Sequence, residues 1–160
     1  QSWFARTNQS FMISPSLTLE AALYIHAARG AVWEKFCQLT DWPRWNPAVR
    51  SARWLEPVPQ GQWQENARFQ VEEQGRFGVT LSVAIVRMVL LNDTLVWESA
   101  APSLHIVHSA HFTDELGGCK FLVRKTYHGL ATLPLFLWQG GQQRQLEQSL
   151  RNLQAWVERR

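Results

Sequence analysis

The sequence predicts a single α+β domain in which a curved antiparallel sheet and a long C-terminal helix enclose an apolar cavity. Three observations lead to this fold class: a helical stretch near the N-terminus, a middle region with an apolar period of two, and a final segment with a helical apolar stripe. The 160 residues suffice for one hydrophobic core and are few for two. We therefore assign 15–160 to one ligand-binding domain and treat 1–14 as an N-terminal extension outside it.

The first predicted elements are one strand and two short helices. Apolar residues occupy alternate positions from Leu17 to Ile25, which predicts a strand with one buried face. Apolar residues at helical spacing follow over 28–39, and Pro47 closes a second, shorter helical turn that begins after Asp41.

Six further strands are predicted in the middle of the chain, where Gly, Pro, Asn and Asp separate short segments of alternating polarity. Short connections of this kind join neighbouring strands antiparallel, so that the sheet has seven strands in all. The six segments lie near Val49–Leu55, Ala67–Glu73, Val79–Leu90, Thr94–Ser99, Leu104–Thr113 and Cys119–Tyr127. A turn at Pro102 separates the fourth and fifth of them.

The last segment, 135–160, predicts a long amphipathic helix. Leu146, Leu150, Leu153 and Val157 follow one another at i, i+4, i+7 and i+11, which places them on one helix face. A glycine inside a helix costs about 1 kcal/mol relative to alanine. We therefore expect the doubled glycine at 140–141 to delay the helix start to about Gln142 or to bend the helix there.

Composition and charge argue against several classes of protein. The chain is 46% hydrophobic and 18% charged, which is typical of a globular domain. Its net charge of +3 is spread along the chain, so no basic stripe favours nucleic-acid binding. Cys37 and Cys119 form no CxxC motif, which predicts neither a disulfide framework nor a metal site. With no apolar run of membrane-spanning length and no secretory signal pattern, we expect a soluble cytoplasmic protein.

Three stretches of the sequence resemble a known superfamily. They are Ala31-Val-Trp33 followed by Asp41-Trp-Pro-Arg-Trp-Asn-Pro47, then Leu95-Val-Trp97, and finally Tyr127-His-Gly129 with Pro134-Leu135. Together with the element order, they resemble the polyketide cyclase/dehydrase and lipid-transport branch of the START-like (SRPBCC) superfamily. The resemblance implies the helix-grip fold, in which a seven-stranded curved sheet wraps around a long C-terminal helix, with two short helices between the first two strands. Lys125 and Thr126 depart from the family pattern, which often has a Glu shortly before the last-strand aromatic residue.

A curved sheet and a straight helix do not meet along their whole length, and an apolar gap between them is a natural ligand site. If the apolar face of each strand points inward, the gap has a mostly apolar lining with a few polar groups. The alternative is that large aromatic side chains fill the space. The predicted lining is Phe69, Val71, Leu81, Val83, Ile85, Leu95, Trp97, Ile106, His108, Phe112, Val123, Lys125, Tyr127, Phe136, Gln139, Gln143, Leu146 and Leu150.

Three polar residues of this lining are candidate catalytic groups. His108 can act as a general acid or base, with Tyr127 on the adjacent strand, because imidazole titrates near neutral pH. Lys125 can hold an oxyanion or enolate. The simpler interpretation is that these residues form a binding site or a satisfied polar pair in the core.

The spacing of His105, His108 and His111 does not predict a metal site. On a strand, His105 and His111 share one face about 20 Å apart and His108 points to the other. No cofactor is predicted either, since the sequence has no glycine-rich phosphate loop or dinucleotide motif. Among the acidic residues, Glu98 should face away from the cavity, which leaves Glu72 and Glu73 as acid or base candidates on strands.

The leading functional hypothesis is a carrier or sensor that binds a small hydrophobic molecule, whether lipid-like, polyketide or aromatic. A second is a cyclase or aromatase-type enzyme that uses His108, Tyr127 and Lys125. A third is an interaction protein whose partner surface consists of exposed Trp42, Trp45 and Trp54. The sequence does not decide between a monomer and a homodimer.

Overall fold

The structure is a computed structural model that describes residues 15–59, 62–101 and 103–159. The N-terminal segment 1–14 and the predicted turn at Pro102 lie outside the described residues. The elements in chain order are β1 (Ser16–Ile25), α1 (Arg29–Cys37), a 3-10 turn (Leu39–Asp41), α2 (Trp42–Trp45), β2 (Val49–Trp54), β3 (Arg68–Gly75), β4 (Gly78–Leu90), β5 (Thr94–Ala101), β6 (Leu104–Glu115), β7 (Gly118–His128), α3 (Thr132–Leu135) and α4 (Gln139–Glu158).

The seven strands form one antiparallel sheet in the order β1-β7-β6-β5-β4-β3-β2. Strands β2 to β7 follow one another as a meander, because each connection is short enough to join neighbours. Strand β1 pairs with β7 instead of β2, so α1 and α2 lead the chain from one edge of the sheet to the other. The predicted seven-stranded antiparallel sheet and the two short helices after its first strand are confirmed.

An aromatic cluster fills the space between α1, α2 and the inner face of the sheet. Its centre is Phe36, which is only 2% exposed. Its ring centroid lies 5.4 to 6.3 Å from those of six other aromatic residues, which are Trp42, Trp45, Trp63, Trp97, Phe112 and Phe121. Tilted and edge-on contacts at such distances are the arrangement that aromatic pairs prefer.

The prediction that Trp42, Trp45 and Trp54 form an exposed partner surface was wrong. Trp42 and Trp45 are buried because the short helix α2 presents both rings to the aromatic cluster. The indole nitrogen of Trp42 donates a hydrogen bond to the Phe36 carbonyl at 2.9 Å, which fixes the ring. Trp54 is partly buried and packs edge-on against Trp63 and Phe69.

Helix α4 is held over one edge of the sheet by hydrogen bonds to backbone carbonyls. The side-chain amides of Gln143 and Gln154 donate to the carbonyls of Glu20 and Tyr24 on β1. The amide of Asn152 donates to the carbonyl of Trp45. The helix is therefore fixed to β1 and to the end of α2.

The C-terminal helix starts later than 135 and earlier than 142. A separate helical turn, α3, precedes it, and Gly140 and Gly141 occupy its first turn. The penalty of about 1 kcal/mol for glycine applies to a helix interior, and this turn lies at the helix end. Its predicted apolar stripe is confirmed, since Leu146, Leu150 and Leu153 are buried. Among the described residues, no helix is long and apolar enough to cross a membrane.

Candidate functional site

A cavity of about 320 Å³ lies between the inner face of the sheet, α2 and α4. It lies beside the aromatic cluster, where Phe36 and Trp42 pack against Phe69 and Trp97 while α4 is anchored over β1. Aromatic side chains form its floor, and residues of α3 and α4 cover it. The floor contains Phe36, Trp42, Trp45, Phe69 and Trp97, and the cover contains Leu135, Gln142, Leu146, Ser149 and Leu150.

Ten of the residues predicted to line the cavity do lie at its wall. They come from the inner faces of β3, β5, β6 and β7 and from α4. In each strand the alternation places apolar residues on one face, and in α4 the helical stripe does the same. They are Phe69, Val71, Trp97, Ile106, His108, Val123, Lys125, Tyr127, Leu146 and Leu150. That they contact a ligand stays a prediction.

The prediction that Leu81, Val83 and Ile85 line the cavity was wrong. On β3, Phe69 and Val71 point inward, and their partners on β4 are Ala84 and Ser82. Since residues directly opposite in an antiparallel pair share a face, Ser82 and Ala84 face the cavity, and so does Thr80 opposite Glu73. Leu81 and Val83 are 60% and 43% exposed on the outer face.

Five further residues were also misplaced by the prediction. Leu95 and Phe112 point inward but are buried in the packed core away from the cavity wall. Phe136 and Gln139 are exposed, because Phe136 follows the short turn α3 and Gln139 is the first residue of α4. Gln143 lies at the side of α4 and donates to the Glu20 carbonyl instead.

Several polar residues at the cavity were missed by sequence analysis. Glu73, which the sequence suggested only as an acid or base candidate, is the next inward position on β3 after Phe69 and Val71, so continuing the alternation would have placed it at the cavity. Ser82 was missed because the prediction assigned Leu81, Val83 and Ile85, on the opposite face of β4, to the cavity. Asn46 reaches the cavity from the end of α2, and no sequence pattern signals that position.

The three candidate catalytic residues lie together on the cavity wall. His108 on β6 is directly opposite Lys125 on β7, and Tyr127 is two residues further along β7. The His108 ring stacks on Trp97 with centroids 5.2 Å apart and an angle of 4° between the planes. Its Nε2 lies 3.3 Å from the Ser99 hydroxyl oxygen. The site thus combines an imidazole, an ammonium and a phenol on one apolar surface.

His108 is held in its neutral form. Burial, and secondarily the positive charge of Lys125, lower the pKa of His108 well below its usual value of 6.5. A neutral imidazole can accept a proton or a hydrogen bond at neutral pH, whereas an imidazolium could not. The geometry therefore supplies a proton acceptor beside a fixed cation.

This lowered pKa predicts that the protein loses stability in mild acid. Below about pH 6.5, His108 takes up a proton in the unfolded state but not in the folded state. The free energy of unfolding therefore decreases as the pH is lowered, by up to about 1.4 kcal/mol per pH unit. Urea unfolding between about pH 7.5 and about pH 5.5 measures this slope. His108→Gln should make it shallower, and an unchanged slope would show that His108 does not contribute.

The other two histidines of the triplet lie on the outer face of the sheet. His105 Nε2 is 3.4 Å from a Glu98 carboxylate oxygen, which also pairs with Arg87 at 3.2 Å. His111 contacts the hydroxyls of Thr94 and Ser109. The predicted division of the three histidines and the outward position of Glu98 are confirmed. Within the described ranges, no three His, Cys, Asp or Glu residues are grouped so as to hold a metal ion.

The two cysteines are unsuited to nucleophilic chemistry. Both are free and buried. Burial raises the pKa of the Cys37 thiol to about 12, and it also raises the pKa of Cys119. Because the thiolate is the reactive form, neither residue is activated at neutral pH.

Comparison with known proteins identifies the fold through solved structures. No protein-family profile matches the sequence. No curated protein matches it either. Ara h 8.0201 is 16% identical with a TM-score of 0.65, over 89% of this chain and 98% of that one. TTHA0849 from Thermus thermophilus is 16% identical with a TM-score of 0.72, over 88% of this chain and 97% of that one.

A third similar structure is the di-domain ARO/CYC protein StfQ from the steffimycin biosynthetic pathway. It is 18% identical with a TM-score of 0.71, and the match covers 89% of this chain and 51% of StfQ. The chain is therefore a helix-grip protein, with an internal cavity between its sheet and its long helix. It shares this fold with the START-like superfamily, as the sequence resemblance predicted. At these identities the likeness establishes the fold alone.

Proposed function

We propose that this protein binds a small hydrophobic molecule inside the cavity, as a carrier or sensor. The observation that supports the proposal most directly is a void of about 320 Å³ with a largely apolar wall. Ligand pockets in proteins usually measure about 300–1,000 Å³ and have apolar walls with a few polar groups. A molecule that fills the void is stabilised by about 25 cal/mol for each Å² of apolar surface removed from water.

The cavity also has an opening through which a ligand can enter. Four residues of its wall, Glu73, Thr80, Ala100 and Ala101, are exposed to solvent. They lie toward the ends of β3 and β5 and at the start of β4. A molecule can therefore reach the apolar interior without local unfolding of the sheet.

The binding proposal is tested with a neutral fluorescent probe. We expect Nile red to bind the purified protein saturably at one site per chain, with the blue-shifted emission of an apolar environment. Native mass spectrometry of the same preparation measures the stoichiometry and reveals any co-purified molecule. Absence of saturable binding by Nile red and by a panel of apolar compounds would exclude a hydrophobic ligand site.

Cyclase or aromatase-type catalysis is a second candidate, favoured by the placement of His108, Lys125 and Tyr127. Neutral His108 would remove a proton from a carbon between two carbonyl groups, and the electron pair would move onto the carbonyl oxygen beside Lys125. The resulting enolate carbon would attack a second carbonyl of the same chain to form a carbon–carbon bond. The new alkoxide would take up the proton from His108. The similar structure StfQ is described as an ARO/CYC protein, which agrees with this alternative.

Conversion of a synthetic poly-β-ketone separates the two candidates. An enzyme should form a cyclised alcohol, which becomes an aromatic product detected by absorbance once it loses water, and His108→Ala should slow its formation by about 100-fold or more, the usual effect of losing a general acid or base. His105→Gln, on the outer face of the same strand, is the matched control. A carrier should give no product, and it should bind Nile red equally well after His108→Ala or Tyr127→Phe.

A further inference from the structure

We propose that the ligand is an apolar acid whose anionic group, a carboxylate or enolate, binds Lys125 in a polar side chamber of the cavity. This inference rests on the proposed binding function and specifies the chemical class of its ligand. The chamber measures about 60 Å³. It has space for a head group of a few atoms, and the main cavity takes the apolar body.

The polar side chamber adjoins the main cavity and differs from it in chemistry. The two share most of the chamber's wall, including Lys125, Tyr127 and Gln142. Toward α4 the chamber is also lined by Gln145 and Ser149. A ligand that spans both spaces therefore needs an apolar body joined to one polar group.

Lys125 is a cation without a counter-ion. It is half-buried, and it makes no ion pair or side-chain hydrogen bond with any residue in the described part of the chain. Its neighbour Arg124, on the outer face of β7, is paired with Glu20 at 2.7 Å. A partly desolvated ammonium gains from an opposite charge, and a bound anion would supply it.

The other charged or titratable groups around the chamber do not neutralise Lys125. His108 across the strand pair is uncharged, because burial and Lys125 itself lower its pKa. Glu73 is an exposed carboxylate that lines the side chamber together with Lys125, and among the described residues the two form no ion pair. Lys125 is thus the one cationic residue among those described at the cavity wall. An acidic head group would meet it directly, and Tyr127 would offer a phenolic donor.

The test compares an acid with the neutral alcohol of the same shape. The probes are 2-naphthoic acid with 2-naphthalenemethanol, and dodecanoic acid with dodecan-1-ol, each titrated by displacement of Nile red. We expect at least one acid to bind the wild-type protein about tenfold tighter than its alcohol. Lys125→Met should abolish this preference while it leaves the alcohol affinity within about twofold.

Two matched variants make the result specific to the chamber. Lys120→Met removes the same charge from the outer face of β7 and should leave both affinities unchanged. Glu73→Gln removes the competing carboxylate and should strengthen binding of the acid only. Thermal unfolding checks that each variant is folded. If Lys125→Met does not fold, Lys125→Gln replaces it in the same test.

The possible outcomes test this inference separately from the proposal that the cavity binds a small hydrophobic molecule. If acids and alcohols bind the wild-type protein equally, or if Lys125→Met and Lys120→Met affect the acid equally, the inference is wrong and the cavity still binds apolar molecules. If Nile red, acids and alcohols all fail to bind, the binding proposal itself is wrong.

Discussion

Replacing Phe36 with alanine is expected to lower the free energy of unfolding by about 3–5 kcal/mol, the usual effect of removing a buried aromatic ring. Phe36 is 2% exposed and contacts six other aromatic rings between the helices and the sheet. It also belongs to the floor of the cavity, so the space that it vacates joins a void already present and the surroundings have little to collapse onto. A domain of this size is stable by about 5–15 kcal/mol, so the loss is a large share of the total.

Urea unfolding measured by circular dichroism checks this prediction, with Phe77→Ala as the control. Phe77 is 84% exposed at the tip of the β3–β4 hairpin, where its ring centroid lies 5.7 Å from that of Trp138. The same change of side chain should therefore cost less than about 1 kcal/mol there. Equal losses from the two variants would mean that the aromatic cluster is not the centre of the core.

The predicted sheet and the long helix could be read from the sequence because their patterns are unambiguous. On β6 and β7, one phase of the alternation carries the residues that meet the core, so His108, Lys125 and Tyr127 were placed on the inner face correctly. On β4 the alternation is ambiguous. Leu81 and Val83 are bulky but face outward, whereas the inward positions hold the smaller Ser82 and Ala84. Pairing with β3 decides the face, and pairing is not visible in a single strand.

The contribution of Trp42 and Trp45 to the aromatic floor of the cavity was missed for a related reason. Helix α2 has only four residues, Trp42–Trp45, which is too short to show a helical period, so nothing local indicates which way its tryptophans point. Their burial depends on where the sheet and α1 lie. The polar side chamber depends in the same way on residues from β3, β7 and α4 that are far apart in sequence. Such sites follow from the tertiary fold, which the sequence predicted only in outline.

Ser82→Phe is expected to weaken Nile red binding by about tenfold or more, which corresponds to about 1.4 kcal/mol. Ser82 faces the cavity from β4, opposite Val71, and part of its surface remains accessible there. A phenyl ring at this position would occupy much of the void that the ligand needs. The ring enters empty space instead of filled core, so the variant should unfold at nearly the same urea concentration as the wild-type protein.

Val83→Phe adds a ring of the same kind one residue along β4 and on the opposite face of the sheet. Val83 is 43% exposed on that outer face, so Nile red should bind this variant with the affinity of the wild-type protein. The pair of variants tests the strand register and the ligand site together, because a shift of one residue would exchange their effects. If Val83→Phe blocked the probe and Ser82→Phe did not, β4 would present its odd-numbered residues to the cavity. If neither change affected the affinity, the probe would occupy a different surface, and the space between the sheet and α4 would not be the binding site.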